Sequence, residues 1–362
     1  SYKFNSRDKY YMKLAINLAS NQKGLTGLNP PVGCIIVKNN KIISHGVTDL
    51  NGRPHAETIA LNKSKINTNG STVYLTLEPC SHYGKTPPCT KSLINSKVKK
   101  VIYSIEDSDK RSFNKAKKIL KSKKIIIQSG LLRSEVNKLY KSYNFNKKKE
   151  QPYIVGKLAC SSNYYILKSK KFITNEYSRK TSQILRYQNL GLLTSYKTIN
   201  TDNPKLTCRI NGLENFSPIR IIIDRNLKIN LSSFVVKDCY KNKTIIFHNS
   251  KNFTKINHLK NKGVKLIHFK VDNKDFFEIK KVFKKIYDMG VNTLLVETGK
   301  NLTEQIISKN LFNEFYLFKS NKKIFNKSKI KVLNIIKNLN KKFHNKNLVN
   351  TYLDKDSLIH YY

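Results

Sequence analysis

The sequence contains no tryptophan and only two methionines, and it is poor in acidic residues, with 23 Asp and Glu against 69 Lys and Arg. Its apolar runs, such as 221–223 and 294–296, fall far short of the roughly 20 residues that a membrane-spanning helix needs. The N-terminus carries no apolar segment followed by a small-residue cleavage site. These absences argue against a helical membrane protein and predict a cytoplasmic protein without a signal peptide.

The shortage of acidic residues gives a formal net charge of +46, which favours a nucleic-acid or anionic partner. Only nine of the 69 basic residues are Arg, however, and the Lys residues are spread over the whole chain. Nucleic-acid surfaces use Arg for bidentate contacts. Abundant Lys, Asn, Ile and Tyr are also what an AT-rich genome produces. Both interpretations stay open, but we predict no specific nucleic-acid partner and only weak polyanion binding at low salt.

The length of 362 residues is enough for two domains. We place an interdomain linker at the polar, basic segment 144–152, which ends in Pro152, and predict domains over 1–146 and 150–362. In the first domain the apolar spacing predicts a helix over 8–20, a hairpin that turns at Asn39 and Asn40, and a strand over 72–77. Further helices are predicted from about His55 and after Cys89, with strands near 98–105 and 123–130. Helices alternate with strands, as in an α/β domain.

The second half shows the same alternation. Strands are predicted at 153–158, 192–194, 219–224, 243–248, 264–269, 293–297 and 351–361. Helices are predicted near 175–190, 277–289 and 302–309. The Lys-rich stretch 321–346 keeps apolar residues at helical spacing, so we expect it to be ordered.

The six cysteines do not suggest a disulfide framework in a cytoplasmic chain of this size. Four of them are expected to be small buried residues: Cys34, Cys160, Cys208 and Cys239. Cys80 and Cys89 lie close together in the stiff loop EPCSHYGKTPPC, and His55 lies upstream in PHAET. One neutral imidazole and two thiolates are the ligands of a catalytic zinc site, which keeps its fourth position for water. We therefore predict zinc bound by His55, Cys80 and Cys89.

Glu57, two residues after His55, is the predicted catalytic residue. At that spacing it lies off the face of the helix that carries His55, where its carboxylate can move a proton between water and a leaving nitrogen. The order H-x-E then P-C-x-n-C is the signature of zinc nucleobase deaminases, although the spacer here has eight residues instead of two. A structural zinc site with His82 as fourth ligand, and a deaminase that acts on nucleic acid, are the alternatives.

These motifs resemble one family, the bifunctional deaminase/reductase of riboflavin biosynthesis. Besides H-A-E and PCSHYGKTPPC, the resemblance covers nearly the whole chain through NPPVGCIIV (29–37), TLEPC (76–80), KLACS (157–161), LRYQNLGLLTSYKTINTDNPKLTCR (185–209), IRIIID (219–224) and LLVETGKNL (294–302). It implies an N-terminal cytidine-deaminase-like α/β/α sandwich followed by a dihydrofolate-reductase-like α/β domain. It also implies zinc-dependent deamination of 2,5-diamino-6-(5-phosphoribosylamino)pyrimidin-4(3H)-one, and then reduction of the ribosyl group with NADPH.

In the deaminase half the resemblance implies that Asn29 contacts the base and Lys85 contacts the substrate phosphate. Lys85 is also the only formally charged residue between the two cysteines, which suits an anion. Thr48 stands where the family commonly has His, and Asp107 to Lys110 replace the family's D-P-N-P. Neither departure touches the predicted metal ligands.

The second half has no G-x-G-x-x-G motif, and its only phosphate-type signal is the turn that follows the strand at 293–297. The resemblance assigns cofactor contacts to Ala159, Phe172, Thr198, Asp202, Arg225, Gly299, Lys300 and Asn301. It assigns reductase substrate contacts to Lys157, Lys170, Arg186, Leu206, Arg209 and Glu297. Two arginines suit the substrate phosphate through bidentate pairing, and Lys157 suits polarisation of the sugar carbonyl.

The reductase half departs further from the family than the deaminase half does. The segment Ser161 to Leu167 replaces S-L-D-G-R-T-A, Lys170 replaces a Ser, Phe172 replaces a Trp and Asn203 replaces an Asp. A second domain that is purely structural is therefore the alternative to an active reductase. The predicted partner is a small-molecule phosphoribosylaminopyrimidine, with no membrane, and a homo-oligomer is left open.

Overall fold

The computed structural model describes residues 4–84, 86–167, 172–325 and 329–362. The chain divides into two compact units between Glu150 and Gln151. The predicted domain limits at 146 and 150 fall within a few residues of this division. Within the described residues, no helix combines the length and the apolar character that crossing a membrane requires.

The described residues of unit 1 form one five-stranded sheet and six α-helices. Its strands are β1 Gly33–Lys38, β2 Lys41–Val47, β3 Thr72–Leu77, β4 Lys100–Ile105 and β5 Ile126–Ser129. Its helices are α1 Ser6–Asn21, α2 Ala56–Lys63, α3 Cys89–Asn95, α4 Lys115–Ser122, α5 Arg133–Leu139 and α6 Lys141–Lys149. The strand order is β2-β1-β3-β4-β5, with β1 antiparallel to both neighbours and β3, β4 and β5 parallel.

The predicted hairpin is confirmed, because Asn39 and Asn40 take φ angles of 50° and 60° between β1 and β2. Such left-handed pairs form the turn whose twist matches a hairpin, and Asn tolerates this conformation. Alternate residues of β1 enter two separate cores: Ile35 joins the core under α1, while Cys34 and Ile36 join the core under α2 and α3. The sheet is therefore covered on both faces, as in the predicted α/β/α sandwich.

Gly46 on β2 allows α2 to approach the sheet closely. A Cβ atom at this position would lie 2.3 Å from the carbonyl oxygen of Ala56. Because that oxygen belongs to the backbone, α2 would have to move to remove the clash. The first turn of α2, which carries His55 at its N-cap and Glu57, is therefore held against the sheet.

Unit 2 contains a nine-stranded sheet in the order β11-β10-β9-β8-β12-β6-β13-β16-β15, and a separate pair β14-β7. The strands are β6 Tyr153–Cys160, β7 Tyr165–Leu167, β8 Gly191–Ser195, β9 Ile219–Ile223, β10 Thr244–His248, β11 Lys265–His268, β12 Thr293–Val296, β13 Glu314–Lys319, β14 Lys329–Lys331, β15 Lys346–Leu348 and β16 Ser357–Tyr361. The helices are α7 Glu176–Tyr187, α8 Tyr196–Asp202, α9 Phe234–Lys237, α10 Phe253–Asn261, α11 Ile279–Asp288, α12 Lys300–Ser308 and α13 Leu333–Lys342.

The seven strands from β11 to β13 in this order are parallel. The carboxyl ends of parallel strands meet at one edge of a sheet, which is where ligands bind in open α/β sheets. The ends of β6, β8, β9 and β12 therefore bring Ala159, Ser195, Asp224 and Glu297 to a common edge. One face of the sheet is packed by α11, α12 and α13 through a continuous apolar core.

Two sequence predictions need correction. The segment 144–152 is not an extended linker, because α6 covers residues 144–149. The hydroxyl of Tyr143 donates a hydrogen bond to Asp107 at 2.8 Å, and Lys147 pairs with Asp109 at 2.8 Å. These contacts with acidic residues far away in sequence pack α6 against the rest of unit 1. The final strand is shorter than 351–361, since Asp354 has a φ of 53° in the turn that precedes β16.

Candidate active sites

The three predicted metal ligands lie together in unit 1. His55 caps α2, Cys80 follows β3 and Cys89 begins α3. Nδ1 of His55 lies 3.7 Å from Sγ of Cys80 and 3.4 Å from Sγ of Cys89. All three ligand atoms lie within 4.8 Å of one another, and no other such group of His, Cys, Asp or Glu occurs among the described residues.

These distances fit zinc. A tetrahedral ion with Zn–S and Zn–N bonds of about 2.3 and 2.0–2.1 Å holds its ligand atoms roughly 3.5–3.8 Å apart. The backbone N–H of Cys89 donates a hydrogen bond to Sγ of Cys80 at 3.2 Å, which stabilises a thiolate. Hydrogen bonding with Cys89 also lowers the pKa of the Cys80 thiol to about 4. The cluster therefore offers a preformed anionic ligand to a divalent cation.

His82 does not join the cluster. Its Nδ1 lies 2.9 Å from Oγ of Ser112, a buried residue on the loop after β4. The cluster thus has three protein ligands, which is the number found in catalytic zinc sites, whereas structural sites have four. This geometry favours the catalytic interpretation over a structural zinc site.

Glu57 is buried beside the metal ligands, with 4% of its surface exposed. Burial raises the pKa of its carboxyl to about 7, and the charge of Cys80 adds to the effect. Glu57 also interacts directly with the Cys89 side chain. A buried carboxyl group beside the metal ligands, with this pKa, can both accept a proton and donate one near neutral pH.

The loop that precedes α2 positions Asn29. Its Nδ2 donates a hydrogen bond to the carbonyl oxygen of Gly52 at 2.9 Å. Gly52 has a φ of 92°, and a Cβ atom there would lie 2.7 Å from the same amide, so glycine is required. Thr48 is buried, and its hydroxyl accepts a hydrogen bond from the backbone of Val32 at 2.9 Å, a structural role. Lys85 lies outside the described residues, and its role stays a prediction.

A cavity of about 1720 Å³ opens in unit 2 at the carboxyl edge of the parallel strands. It is lined by every predicted reductase residue that the structure describes: Lys157, Ala159, Phe172, Arg186, Thr198, Asp202, Leu206, Arg209, Arg225, Glu297, Gly299, Lys300 and Asn301. Lys170 lies outside the described residues. The individual contacts assigned to these residues stay predictions.

Glu297 is the centre of a buried charge network in this cavity. Nε and Nη2 of Arg186 donate hydrogen bonds to the two carboxylate oxygens at 2.8 and 3.1 Å, and Nζ of Lys157 lies 3.6 Å away. Burial by itself raises the pKa of Glu297, but Arg186 and Lys157 outweigh it and lower the pKa to about 2. Because its bidentate fork is already bound to Glu297, Arg186 is not available for the predicted phosphate fork in this arrangement.

Arg209 remains for that role. Its side chain is exposed at the cavity, and its one described hydrogen bond is a long one of 3.4 Å to the carbonyl oxygen of Thr207. Sequence reasoning missed Arg179, which also lines the cavity and stacks 4.3 Å from the ring centre of Phe172. The signal for Arg179 was available, since Arg is rare among the basic residues of this chain.

The altered segment after β6 still forms a closed turn. Ser161 and Asn163 bond through their side chains at 2.7 Å, and Asn163 makes two hydrogen bonds with the backbone of Ile324 at 3.0 Å. The chain then enters β7, which pairs with β14. The replacement of S-L-D-G-R-T-A has therefore preserved an ordered wall for the cavity, which includes Ile166 and Leu167.

Comparison with known proteins agrees with both sites. Residues 5–105 match the family model described as the cytidine and deoxycytidylate deaminase zinc-binding region, and residues 166–322 match the RibD C-terminal domain. The chain is 34% identical over 319 residues to the riboflavin biosynthesis protein RibD of Aquifex aeolicus, covering 86% of each chain. The chain belongs to the RibD family. The RibD protein of Buchnera aphidicola is 32% identical over 333 residues, again with 86% of each chain covered.

A solved structure supports the RibD fold over the whole length. This chain superimposes with a TM-score of 0.81 on a protein of Thermotoga maritima. That protein is named diaminohydroxyphosphoribosylaminopyrimidine deaminase/5-amino-6-(5-phosphoribosylamino)uracil reductase. The alignment covers 98% of both chains at 27% identity. The predicted family and fold class are confirmed. As a RibD-family protein, this chain is an enzyme with a deaminase and a reductase domain.

Proposed function

We propose that the chain catalyses two consecutive steps of riboflavin biosynthesis. Unit 1 deaminates 2,5-diamino-6-(5-phosphoribosylamino)pyrimidin-4(3H)-one to 5-amino-6-(5-phosphoribosylamino)uracil, and unit 2 reduces the ribosyl group of that product to a ribityl chain with NADPH. The observation that carries the proposal is the cluster of His55, Cys80 and Cys89 with Glu57 buried beside it.

In unit 1, His55, Cys80 and Cys89 would hold a zinc ion, which would supply the Lewis acidity that activates the attacking water near neutral pH. Glu57 accepts a proton and returns it to the amino group that leaves as ammonia. The dry surroundings of its carboxyl, with 4% exposure, keep bulk water from competing for that proton. Asn29, held by Gly52, presents its side chain to the base.

In unit 2, Thr198, Asp202 and the turn at Gly299 would hold NADPH, which would supply the hydride for the reduction. Lys157 would donate a proton to the ring oxygen of the ribosyl group as the C1–O bond breaks and hydride is added to C1, so that the C1–N bond is kept. Glu297 fixes the ammonium group of Lys157 at 3.6 Å. Arg209 binds the substrate phosphate. The helix α12, which begins directly after Gly299, directs its N-terminal N–H groups toward the cavity and suits the cofactor's phosphates.

The test is a coupled assay on the purified full chain. Ammonia release with the diaminopyrimidine substrate should not require NADPH, whereas NADPH oxidation should begin only after deamination or when the deaminated product is supplied. Ammonia release without any NADPH oxidation, at high enzyme concentration, would support the alternative in which unit 2 is purely structural. Activity on RNA or single-stranded DNA instead of the small substrate would support the nucleic-acid alternative.

A further inference from the structure

Arg53 links the two segments that carry the metal ligands. It lies on the loop before α2, two residues before His55. Its Nη1 donates a hydrogen bond to Oγ1 of Thr86 at 2.5 Å, and Thr86 belongs to the loop between Cys80 and Cys89. Nη2 points toward Gly84 of the same loop, at 3.4 Å from the position of an added Cβ atom. The guanidinium therefore lies where the loop before α2 meets the loop between the cysteines.

The charge of Arg53 is not neutralised by any carboxylate among the described residues. Five other arginines each pair with an acidic side chain: Arg111, Arg133, Arg186, Arg220 and Arg225. Arg53 has only the neutral hydroxyl of Thr86 as a side-chain partner, and it is partly exposed. An arginine with unused N–H donors beside the loop between the metal-binding cysteines can receive an anion.

We propose that Arg53 binds the phosphate group of the deaminase substrate and so positions the pyrimidine at the metal. This inference rests on the proposed function, because it takes the phosphorylated substrate from it. A guanidinium presents its N–H groups in a planar fork that matches phosphate oxygens, and the bond to Thr86 occupies only Nη1. Gly84 has no side chain, so no Cβ atom occupies the position 3.4 Å from Nη2.

The competing explanation is that Arg53 only braces the loop between the cysteines. The two explanations differ in what the Thr86 hydroxyl contributes. If Arg53 acts on the substrate phosphate, Thr86→Val leaves the preference for phosphorylated substrate intact, since the guanidinium remains. If Arg53 acts as a brace, Thr86→Val and Arg53→Ala impair the enzyme in the same way.

The experiment compares deamination of the phosphorylated substrate and its dephosphorylated analogue by the wild type, Arg53→Ala, Arg53→Lys and Thr86→Val. Arg7→Ala, an exposed arginine on α1, is the control for removal of one positive charge. We expect Arg53→Ala to raise KM for the phosphorylated substrate about tenfold or more, the size of one charge-assisted hydrogen bond, and to change KM for the analogue less than about twofold. Arg53→Lys should recover part of the loss, with kcat and zinc content unchanged throughout.

Equal effects of Arg53→Ala on both substrates, or equal effects of Arg53→Ala and Thr86→Val, would overturn the proposal. A second measurement does not depend on turnover. Binding of D-ribose 5-phosphate is followed by ³¹P line broadening in the Arg209→Ala background, which removes the proposed phosphate ligand of unit 2. Loss of this binding when Arg53→Ala is added supports the Arg53 site, whether or not the wild type is active. Failure of the wild type to deaminate either substrate would refute the proposed function and not the site. Unchanged binding refutes the site.

Discussion

The two active sites of this chain are assembled in different ways. In the deaminase site, Glu57 and the metal ligands come from residues 55–89, and the three ligand atoms lie within 4.8 Å of one another. The reductase site collects residues from 157 to 301 around a cavity of about 1720 Å³. A metal site depends on every ligand, whereas a cavity that binds a substrate through many groups loses affinity by degrees. Substitution of a single metal ligand should therefore abolish the first activity, whereas substitution of a single residue that lines the cavity should weaken the second.

Loss of one metal ligand should have the largest effect. We expect Cys80→Ser to lose stoichiometric zinc and to reduce deamination by more than roughly 1000-fold, a part of the 10⁶-fold or larger acceleration typical of enzymes. Metal analysis and ammonia release measure both. Reduction of the supplied uracil product should persist, because that site lies in unit 2.

Cys239→Ser is the matched control for this substitution, since Cys239 is a buried cysteine of unit 2 whose Sγ bonds to the carbonyl oxygen of Lys262. It should keep zinc and deamination. Full zinc occupancy and normal deamination in Cys80→Ser would show that the metal ligands are assigned wrongly.

Glu57→Gln should separate metal binding from proton transfer. The amide keeps the size of the side chain but cannot carry the proton, so we expect kcat for deamination to fall by about 10²–10⁴-fold with zinc unchanged. Glu135→Gln, on α5, replaces a half-buried carboxylate that pairs with Lys13 and should leave kcat intact. A decrease of less than about threefold in Glu57→Gln would assign the proton transfer to another group.

The sequence anticipated the deaminase site better than the reductase site for a physical reason. Zinc coordination needs specific ligand atoms at short range. The sequence shows them as one histidine and two cysteines, and both cysteines lie in one stiff loop. The bond between Arg186 and Glu297, by contrast, joins residues 111 positions apart and exists because β12 lies between β8 and β6. The apolar pattern does not fix that strand order. The prediction from this pattern did not include β13. It also put a linker where α6 packs through contacts with Asp107 and Asp109.

Glu297→Gln tests the buried network in unit 2. It leaves the charge of Arg186 without its carboxylate, and breaking a buried ion pair from one side typically costs about 3–5 kcal/mol. We expect faster hydrogen exchange in peptides from α7 and β12, a clear loss of NADPH oxidation, and unchanged deamination. The expectation is wrong if deamination falls as much as NADPH oxidation does, or if hydrogen exchange in α7 and β12 is unaltered.

The same carboxylate should make unit 2 sensitive to acid. The pKa of Glu297 is lowered from its ordinary value of 4.5 to about 2 in the folded chain, because Arg186 and Lys157 outweigh the opposing effect of burial. A lowered pKa stabilises the fold above pH 4.5, and this contribution is lost as the pH falls toward 2. Unfolding free energy measured by hydrogen exchange in β12 should decline over this range. The decline should be smaller in Glu297→Gln, and an identical decline in both proteins would exclude Glu297 as its source.

The smallest effect is expected for Arg209→Lys, which keeps a positive charge at the reductase cavity. The fork of Arg186 is bound to Glu297, so Arg209 is the arginine whose N–H groups remain for the substrate phosphate. Lysine supplies the charge but not two parallel N–H donors. We expect KM for the aminouracil substrate to rise roughly five- to twentyfold, equivalent to about one charge-assisted hydrogen bond, with kcat within about twofold. Arg111→Lys, an arginine of unit 1 that pairs with Asp109, is the matched control and should not change this KM. An unchanged KM in Arg209→Lys would leave the reductase activity standing but would show that phosphate recognition there needs only a positive charge, as it does in sites that bind phosphate through lysine.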